Sequence, residues 1–495
     1  MQVNLDPTST ADYERFIRIK QLPSWSIRGR TATFPDEYAE QIGIGRGSVR
    51  TVKWKPAEFL FDYQRDIATA AIQKRKYAVF ADCGLGKTNI ILEFAQAAMQ
   101  AMAGGVLIVS PLMVIEQTIE ECHRFYPTVE IKQVHAAELQ AYLNTARNNQ
   151  TIAITNYEAI RSELRCPRPL GALILDESSM LKSHYGKWGT RLIELGRGVE
   201  WKLCCTGTPA PNDRIEYANH AVFLGAAPTV NAFLATYFVN RGQTQERWSL
   251  KKHAVPAFYR SLSHWCIFLT KPSVYGWTDK TDEIPPIKVH IHDVALTEQQ
   301  RSIVMEETQS MFVTEMGGIG QRSVLGQISK GQYRGAPIST NKPAYIRALV
   351  GTWPSESTII WCIYNPEQNR IAAQFPEAAN ISGSTGHDER MRLLERFKAG
   401  EIKVMITKPK ILGFGLNLQI ATRQVFSGLQ DSYESFYQAV KRSNRIGSRY
   451  PLNVHIPVTE AEQVMVANVL RKAERVTQDA EEQERIFKQY RYAIG

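Results

Sequence analysis

The sequence lacks the features that mark cysteine-rich, secreted and membrane-spanning proteins. It has seven cysteines, at positions 83, 122, 166, 204, 205, 266 and 362. None of them forms a Cys-x-x-Cys pair or a metal-binding spacing with histidine, and their odd number favours reduced, mostly buried thiols. No apolar run approaches the length of a membrane span, and the N-terminus lacks the apolar core of a signal peptide. We therefore predict a soluble cytoplasmic protein that contacts no membrane.

Repeats and low-complexity tracts are also missing, so the chain is expected to fold nearly end to end. With 495 residues it is too long for one hydrophobic core. Its 44% hydrophobic and 22% charged residues are ordinary for a globular protein. The net charge of +10 favours a polyanionic partner, nucleic acid being the obvious one.

Short apolar segments alternate with longer amphipathic ones in two parts of the chain, which predicts an α/β fold with parallel sheets. The predicted strands are 77–81, 106–110, 151–155, 172–176, 202–206, 358–363, 403–407, 424–427 and 453–456. The predicted domains are an N-terminal accessory segment (1–50), a first lobe (51–225), a mostly helical bridging region (226–338), a second lobe (339–458) and a helical tail (459–495). The bridging region carries several tryptophans and lysines, and we expect its tryptophans to belong to the core.

A glycine-containing loop at residues 81–88, Ala-Asp-Cys-Gly-Leu-Gly-Lys-Thr, joins a predicted strand to a predicted helix. This arrangement is typical of a phosphate cradle, in which backbone N–H groups and the helix N-terminus bind the phosphates. Gly84 and Gly86 permit the close backbone approach, and Lys87 neutralises the β- and γ-phosphate oxygens. The Thr88 hydroxyl is a predicted Mg²⁺ ligand.

A second candidate site lies where the strand 172–176 runs into Asp176 and Glu177. Acids at the carboxyl end of a parallel strand lie at the edge where α/β proteins bind ligands. We expect Asp176 to hold Mg²⁺ and Glu177 to act as general base on the attacking water.

Other segments resemble the motifs of superfamily-two helicases, and those of Swi/Snf-type double-stranded DNA translocases in particular. Phe61-Asp62-Tyr63-Gln64 resembles the glutamine motif that reads adenine, and Ser110-Pro111 resembles motif Ia, a nucleic-acid contact. Leu175 to Ser183 resembles motif II. Thr206-Gly-Thr208-Pro-Ala-Pro-Asn212 resembles motif III. Ser179 departs from the family, because many members have histidine there to couple motif II to motif III.

Two stretches near the C-terminus extend the resemblance. Gly413-Phe-Gly415-Leu-Asn417 resembles motif V, and the segment from Gln438 to Gly447 resembles motif VI. Arg442 and Arg445, three residues apart, are expected on one face of a helix starting near residue 431. By this resemblance they act as arginine fingers on the γ-phosphate.

Taken together, the resemblance implies two RecA-like lobes that bind and hydrolyse ATP with Mg²⁺ and are stimulated by double-stranded DNA. The expected catalytic residues are Lys87, Asp176, Glu177, Arg442 and Arg445. The expected nucleotide-binding residues are Tyr63, Gln64, Asp82, Cys83, Gly84, Leu85, Gly86, Lys87 and Thr88. The expected nucleic-acid and coupling residues are Ser110, Pro111, Thr206, Thr208, Gly415, Asn417 and Gln438. The compact size suggests a bacterial or bacteriophage member.

Two other functions stay open at this point. One is a strand-separating helicase on DNA or RNA, which would use the same lobes with an added wedge. The other is a nucleotide-gated nucleic-acid-binding switch without productive hydrolysis. Single-stranded DNA and RNA therefore remain alternative partners, and the sequence names no protein partner.

Overall fold

The computed structural model describes residues 2–22, 25–34, 38–39, 42–44, 52–101, 104–145, 151–181, 186–211, 213–242, 248–313, 319–412, 416–429 and 433–489. The chain folds into two units. One comprises Met1–Asp279 with Asp479–Gly495, and the other comprises Lys280–Gln478. None of the described helices is both long and apolar enough to cross a lipid bilayer.

The first unit begins with a small β-α-β-β module. Strands β1 (Gln2–Asn4), β2 (Ser26–Arg28) and β3 (Thr31–Thr33) form an antiparallel sheet in the order β1-β3-β2. Helix α1 (Thr10–Lys20) is capped by Ser9, whose hydroxyl accepts from the backbone N–H of Asp12 at 3.3 Å. Apolar side chains of the helix and the sheet, among them Ile19 and Ala32, form one cluster. The segment predicted as an accessory element therefore has a core of its own.

A seven-stranded parallel sheet is the centre of the first unit. Its strand order is β12-β4-β9-β8-β5-β7-β6. The strands are β4 (Lys76–Ala81), β5 (Val106–Ser110), β6 (Ile131–Gln133), β7 (Ile152–Asn156), β8 (Ala172–Asp176), β9 (Trp201–Thr206) and β12 (Cys266–Leu269). Strands β5, β8 and β9 are buried along their whole length, which explains their continuous apolar sequences. The predicted strands of this lobe lie within one residue of the observed ones.

Helices cover this sheet, and an antiparallel pair of short strands lies beside it. The helices are α2 (Asp62–Lys74), α3 (Lys87–Ala101), α4 (Leu112–Phe125), α5 (Leu139–Thr145), α6 (Lys187–Leu195), α7 (Tyr217–Leu224), α8 (Val230–Tyr237) and α9 (Val255–Trp265). The strand pair is β10 (Phe238–Asn240) with β11 (Trp248–Leu250). Trp265 and Trp277 are buried, as we expected for tryptophans of the bridging region, whereas Trp248 is half-buried.

The second unit contains a six-stranded parallel sheet in the order β13-β20-β19-β16-β18-β17. Its strands are β13 (Ile287–Asp293), β16 (Thr358–Trp361), β17 (Ala379–Asn380), β18 (Val404–Thr407), β19 (Arg423–Phe426) and β20 (Leu452–Val458), and a hairpin of β14 (Gln332–Tyr333) and β15 (Ala336–Pro337) accompanies them. Its helices are α10 (Glu298–Val313), α11 (Ile319–Ser329), α12 (Lys342–Val350), α13 (Asn365–Ala372), α14 (His387–Lys398), α15 (Pro409–Leu412) and α16 (Tyr433–Val440).

Residues 226–338, predicted as the bridging region, are divided between the units at Asp279 and Lys280. Helices α8 and α9 with strand β12 belong to the first unit, and β13, α10 and α11 belong to the second. Helix α17 (Gln463–Gln489) forms the predicted helical tail. Near its end, the Phe487 ring meets Phe268 of β12 edge to face at 5.4 Å, which ties the chain end to the first unit.

A buried charge network joins several elements of the second unit. The carboxylate of Glu462 accepts from Lys330 on one oxygen and from Lys342 on the other, and all three side chains are almost fully buried. Burial opposes the ionisation of Glu462, but the charges and hydrogen bonds of the two lysines outweigh it and lower the carboxyl pKa. Removing one partner of such a network leaves buried charges without compensation.

We expect Glu462→Gln to destabilise the second unit by about 3 kcal/mol, because two buried ammonium groups lose their carboxylate. The folded pKa of Glu462 lies below its unfolded value of 4.5. The stabilisation by ionised Glu462 is therefore fully present above the unfolded pKa and is lost as the pH falls through the folded pKa. Thermal unfolding between pH 3 and 8, with hydrogen-exchange mass spectrometry to locate the change, measures both effects. Glu395→Gln removes an exposed pair with Lys398 and serves as the control. Equal stability of Glu462→Gln and wild type would contradict the prediction.

Candidate nucleotide-binding and hydrolysis site

The predicted phosphate loop connects β4 to α3 at the carboxyl edge of the first sheet. Gly84 and Gly86 have φ angles of +88° and +72°, in the left-handed region that residues with a Cβ atom rarely adopt. The backbone N–H of Asp82 donates to the Leu269 carbonyl at the end of β12 at 2.9 Å. The loop is thus fixed to a neighbouring strand, while Lys87 and Thr88 lie in the first turn of the following helix.

Lys87 closes the loop by donating from Nζ to the carbonyls of Ala81 at 2.9 Å and Asp82 at 3.2 Å. Burial disfavours the charge on this ammonium group. The groups around it, Cys83, Glu177, Asp82 and Asp176, outweigh that effect and raise the Lys87 pKa. The lysine is therefore a permanent cation at the edge of the sheet, as binding of phosphate oxygens requires.

Gln64 is packed against the same loop. Its Nε2 donates to the Leu85 carbonyl at 3.2 Å, and its Oε1 accepts from the Phe61 N–H at 3.1 Å. A Cβ atom at position 86 would lie 2.1 Å from Nε2, so Gly86 provides the space that the glutamine occupies. The sequence did not indicate this contact. Adenine recognition by Gln64 stays a prediction, and Tyr63 beside it is buried with its ring stacked on Phe61 at 5.7 Å.

Asp176 ends β8, and Glu177 follows it with a φ of +49°. The Ser110 hydroxyl donates to Asp176 Oδ2 at 2.9 Å, and the Glu177 N–H donates to Oδ1 at 3.0 Å. Tyr157 donates to the Asp176 carbonyl at 2.7 Å. Burial, and then the neighbouring Glu177 carboxylate, raise the pKa of Asp176 above its ordinary value.

Ser110 is fully buried in this arrangement. We expected it to contact nucleic acid, but its hydroxyl is directed at Asp176 instead. In this position the Ser110 hydroxyl orients the Asp176 carboxylate. Pro111 is the N-cap of α4 and lies at the same edge of the sheet.

The end of β9 is connected to the acidic pair. Thr206 donates from Oγ1 to Glu177 Oε2 at 3.2 Å, and the Thr208 N–H donates to the Thr206 hydroxyl at 3.2 Å. Motif III is therefore hydrogen-bonded directly to the predicted general base. Ser179, the residue that departs from the family pattern, takes no part in this contact.

His220 of α7 is a further residue at the site that the sequence did not reveal. Its Nε2 lies 3.1 Å from the Ser178 hydroxyl, and its Nδ1 lies 3.4 Å from the Glu216 carbonyl. Because a carbonyl only accepts, Nδ1 carries the proton and Nε2 accepts from Ser178. Burial lowers the His220 pKa to about 4, so the ring is neutral at physiological pH. It positions the segment that follows Glu177.

The motif VI arginines lie in the second unit, and the structure corrects their predicted helical placement. Helix α16 ends at Val440, so Arg442 and Arg445 follow it in turns and do not share a helix face. The chain leaves the helix because Ser443 and Asn444 make tertiary hydrogen bonds. Gln424 donates to the Ser443 hydroxyl at 2.8 Å, and Asn444 donates to the Pro285 carbonyl at 2.8 Å. These long-range contacts leave no trace in the local sequence.

Motif V and motif VI residues are close together within this unit. Gln419, just after motif V, donates to the Arg445 carbonyl at 3.3 Å and to the Ile446 carbonyl at 2.8 Å. Gln438 is buried on α16, and Asn417 is exposed. Gly415 and Gly413 lie outside the described residues, as do Lys182 of motif II and Asn212 of motif III.

Two family models match the chain. The model of the SNF2-related domain matches residues 68–333, which is more than half of the sequence. The chain belongs to the SNF2-related family. The model of the helicase conserved C-terminal domain matches residues 341–447. This SNF2-related chain is thus a superfamily-two, Swi/Snf-type helicase-like protein with two RecA-like α/β lobes, as its motifs predicted.

Among solved structures, the "SWI2/SNF2 ATPase core in complex with dsDNA" of Sulfolobus solfataricus is similar. The TM-score is 0.41 at 18% sequence identity, over 88% of this chain and 96% of that chain. No curated protein sequence matches the chain. The bacterial or bacteriophage origin stays a prediction.

Alkylation of Cys83 tests nucleotide binding at the loop. Cys83 and Cys166 are half-buried, and the other five cysteines are buried. In a Cys166→Ser background we therefore expect N-ethylmaleimide to modify Cys83 first. MgATP at one hundred times its Kd should slow that modification about a hundredfold, because the occupied fraction is protected. Lys87→Ala should abolish the protection, and an unchanged modification rate at saturating ATP would contradict nucleotide binding here.

Proposed function

We propose that this SNF2-related chain is an ATP-driven motor that moves along double-stranded DNA. The observation that carries the proposal is the hydrogen bond from Thr206 to Glu177 beside Lys87 and Asp176. It means that the general base is held at the same sheet edge as the phosphate loop. Membership of the SNF2-related family and the net charge of +10 support a DNA partner.

The residues of the first unit suit Mg²⁺ as well as nucleotide. Thr88 offers a hydroxyl oxygen and Asp176 offers a carboxylate, and oxygen donors are what Mg²⁺ requires. Burial, and then the neighbouring Glu177 carboxylate, raise the pKa of Asp176, so an additional positive charge beside it would favour the ionised form. A bound Mg²⁺ would supply that charge and would neutralise the β- and γ-phosphates.

Hydrolysis then follows from the roles of the side chains. Lys87 binds the phosphate oxygens, and Ser110 holds Asp176 in place. Glu177, oriented by Thr206, takes the proton of the attacking water. We assign Arg442 and Arg445 of the second unit to the charge that develops on the γ-phosphate. In this proposal, hydrolysis requires both units, so the ATP cycle can drive movement along DNA phosphates without reading sequence.

ATPase measurements with duplex DNA, single-stranded DNA, RNA and no nucleic acid test the proposal. We expect the largest stimulation by duplex DNA. Glu177→Gln should lower kcat about a hundredfold or more and keep ATP binding, because only the general base is lost. Glu158→Gln, an exposed acid of the same unit, is the control. If no nucleic acid stimulates the ATPase, the proposal of a DNA motor is contradicted. ATP-dependent release of a labelled strand would favour a strand-separating helicase. A fully active Glu177→Gln protein would favour the switch without productive hydrolysis.

The roles of Arg442 and Arg445 can be tested separately. Arg442→Ala and Arg445→Ala should each lower kcat about a thousandfold with a nearly unchanged Kd for ATP, because arginine fingers act on the transition state. Arg449→Ala changes an exposed arginine just beyond them and should keep full activity. Since Arg442 is buried, Arg442→Lys and a thermal melt separate loss of function from unfolding. Normal kcat in both alanine variants would remove the arginines from the mechanism.

A further inference from the structure

The N-terminal module, residues 2–44, precedes the residues matched by the SNF2-related domain, which begin at 68. Its core contains Leu5, Ile19, Leu22, Ala32, Phe34, Tyr38 and Ile42. The Tyr38 ring also meets His264 of α9 edge to face at 5.3 Å. The module is therefore a folded body that contacts α9 of the first unit.

The two faces of its sheet differ in chemistry. Residues opposite each other in an antiparallel register share a face. Val3, Ala32 and Ile27 are aligned with one another and belong to the core cluster under α1. The outer face carries only hydrogen-bonding side chains among those that the structure describes, namely Gln2, Asn4, Arg28, Thr31 and Thr33. None of these is acidic or apolar.

A tight hairpin carries two arginines, and Arg28 belongs to the outer face. Arg28 is aligned with Thr31, so Gly29 and Arg30 form a two-residue turn. Gly29, at the first central position, has a φ of +57°, as this turn type requires. Arg28 and Arg30 are exposed, and within the described part of the chain neither has an ion-pair partner. The hairpin therefore presents two guanidinium groups that form no ion pair with a described acid. Asp6 follows Leu5, whose N–H donates to the Arg30 carbonyl at 2.7 Å.

The arginines of α1, on the other side of the sheet, provide a comparison. Arg15 pairs with Asp12 at 2.7 Å, and Arg18 lies 3.8 Å from Glu14. Their positive charge is largely compensated within the helix. Lys20, at the end of α1, lies over the Phe16 ring and has no ion pair among the described residues. On the outer-face side, no described acid lies among the sheet residues.

We propose that this outer face, with the Arg28–Arg30 hairpin, is a second DNA-binding site that acts beside the motor. Guanidinium groups bind phosphate oxygens in a bidentate manner, and the amides of Gln2 and Asn4 match base edges in the major groove. β-ribbon proteins contact DNA in this way, with the side chains of strands that lie in a groove. The inference rests on the proposed function for the identity of the partner. The outer face would bind duplex DNA whether or not a nucleotide occupies the motor.

The test compares full-length Arg28→Gln/Arg30→Gln with full-length Arg15→Gln/Arg18→Gln, which removes the same charge from the opposite side of the module. Binding to a labelled DNA duplex is measured without nucleotide over a range of salt concentrations. Losing two phosphate contacts should lower the slope of log K against log salt by about 1.8 and weaken binding on the order of tenfold near physiological salt. The control pair should change affinity less than about twofold, and Arg28→Lys/Arg30→Lys should restore most of the salt slope.

Basal ATPase without DNA should be unchanged in all of these variants, since the residues lie outside the hydrolysis site. If the hairpin variant binds duplex DNA with wild-type affinity and salt slope, the inference is overturned while the motor stands. If the wild type shows no DNA-stimulated ATPase but the hairpin variant still loses affinity, the motor fails and the DNA site stands. Equal losses in the hairpin and control variants would indicate a general charge effect and would also overturn the inference.

Discussion

The first unit depends on one electrostatic constraint, which is that two adjacent carboxylates are buried at the end of β8. Asp176 and Glu177 are each 8% exposed, and carboxylates in such surroundings need donors and cations to stay ionised. The surrounding strands supply them: β5 ends in Ser110, β9 ends in Thr206, and Lys87 follows β4. The parallel strand order brings these residues to one edge, so the fold and the acid pair require each other.

The same constraint explains why the phosphate loop has little freedom. Lys87 donates to two loop carbonyls and Gln64 donates to a third, so the cradle is preformed around its own lysine. A phosphate bound here would replace the Lys87 contacts to neutral carbonyls with contacts to charged oxygens, and preformed donors lose little entropy when they bind. The left-handed conformation of Gly86 serves the loop geometry and leaves space for Gln64 at the same time.

Local pattern predicted nine of the thirteen strands of the two parallel sheets and missed β6, β12, β13 and β17. It did not predict the contacts between the elements. Continuous apolar runs, such as those of β5 and β8, predicted strands at their observed positions, because a strand buried on both faces has few alternatives. The placement of Arg442 failed, because Ser443 and Asn444 end the helix through partners far away in sequence. His220 was not predicted, since a histidine within an apolar helix has no local signature. Ser110 matched motif Ia, but its hydrogen bond to Asp176 depends on β8 lying next to β5, which the local sequence does not show.

The net charge alone does not show which cations are available to bind a polyanion. The local contacts of each cation show it. Lys251 of the aromatic, basic segment donates to the carbonyls of Ala235 and Thr236 at the end of α8. A cation in that position stabilises the helix dipole, so its charge is already partly used within the fold. Arg28 and Arg30 have no such contact in the described part of the chain, although nothing in their local sequence distinguishes them from Lys251. A basic excess therefore points to a polyanion most strongly where the fold leaves cations exposed and without ion pairs.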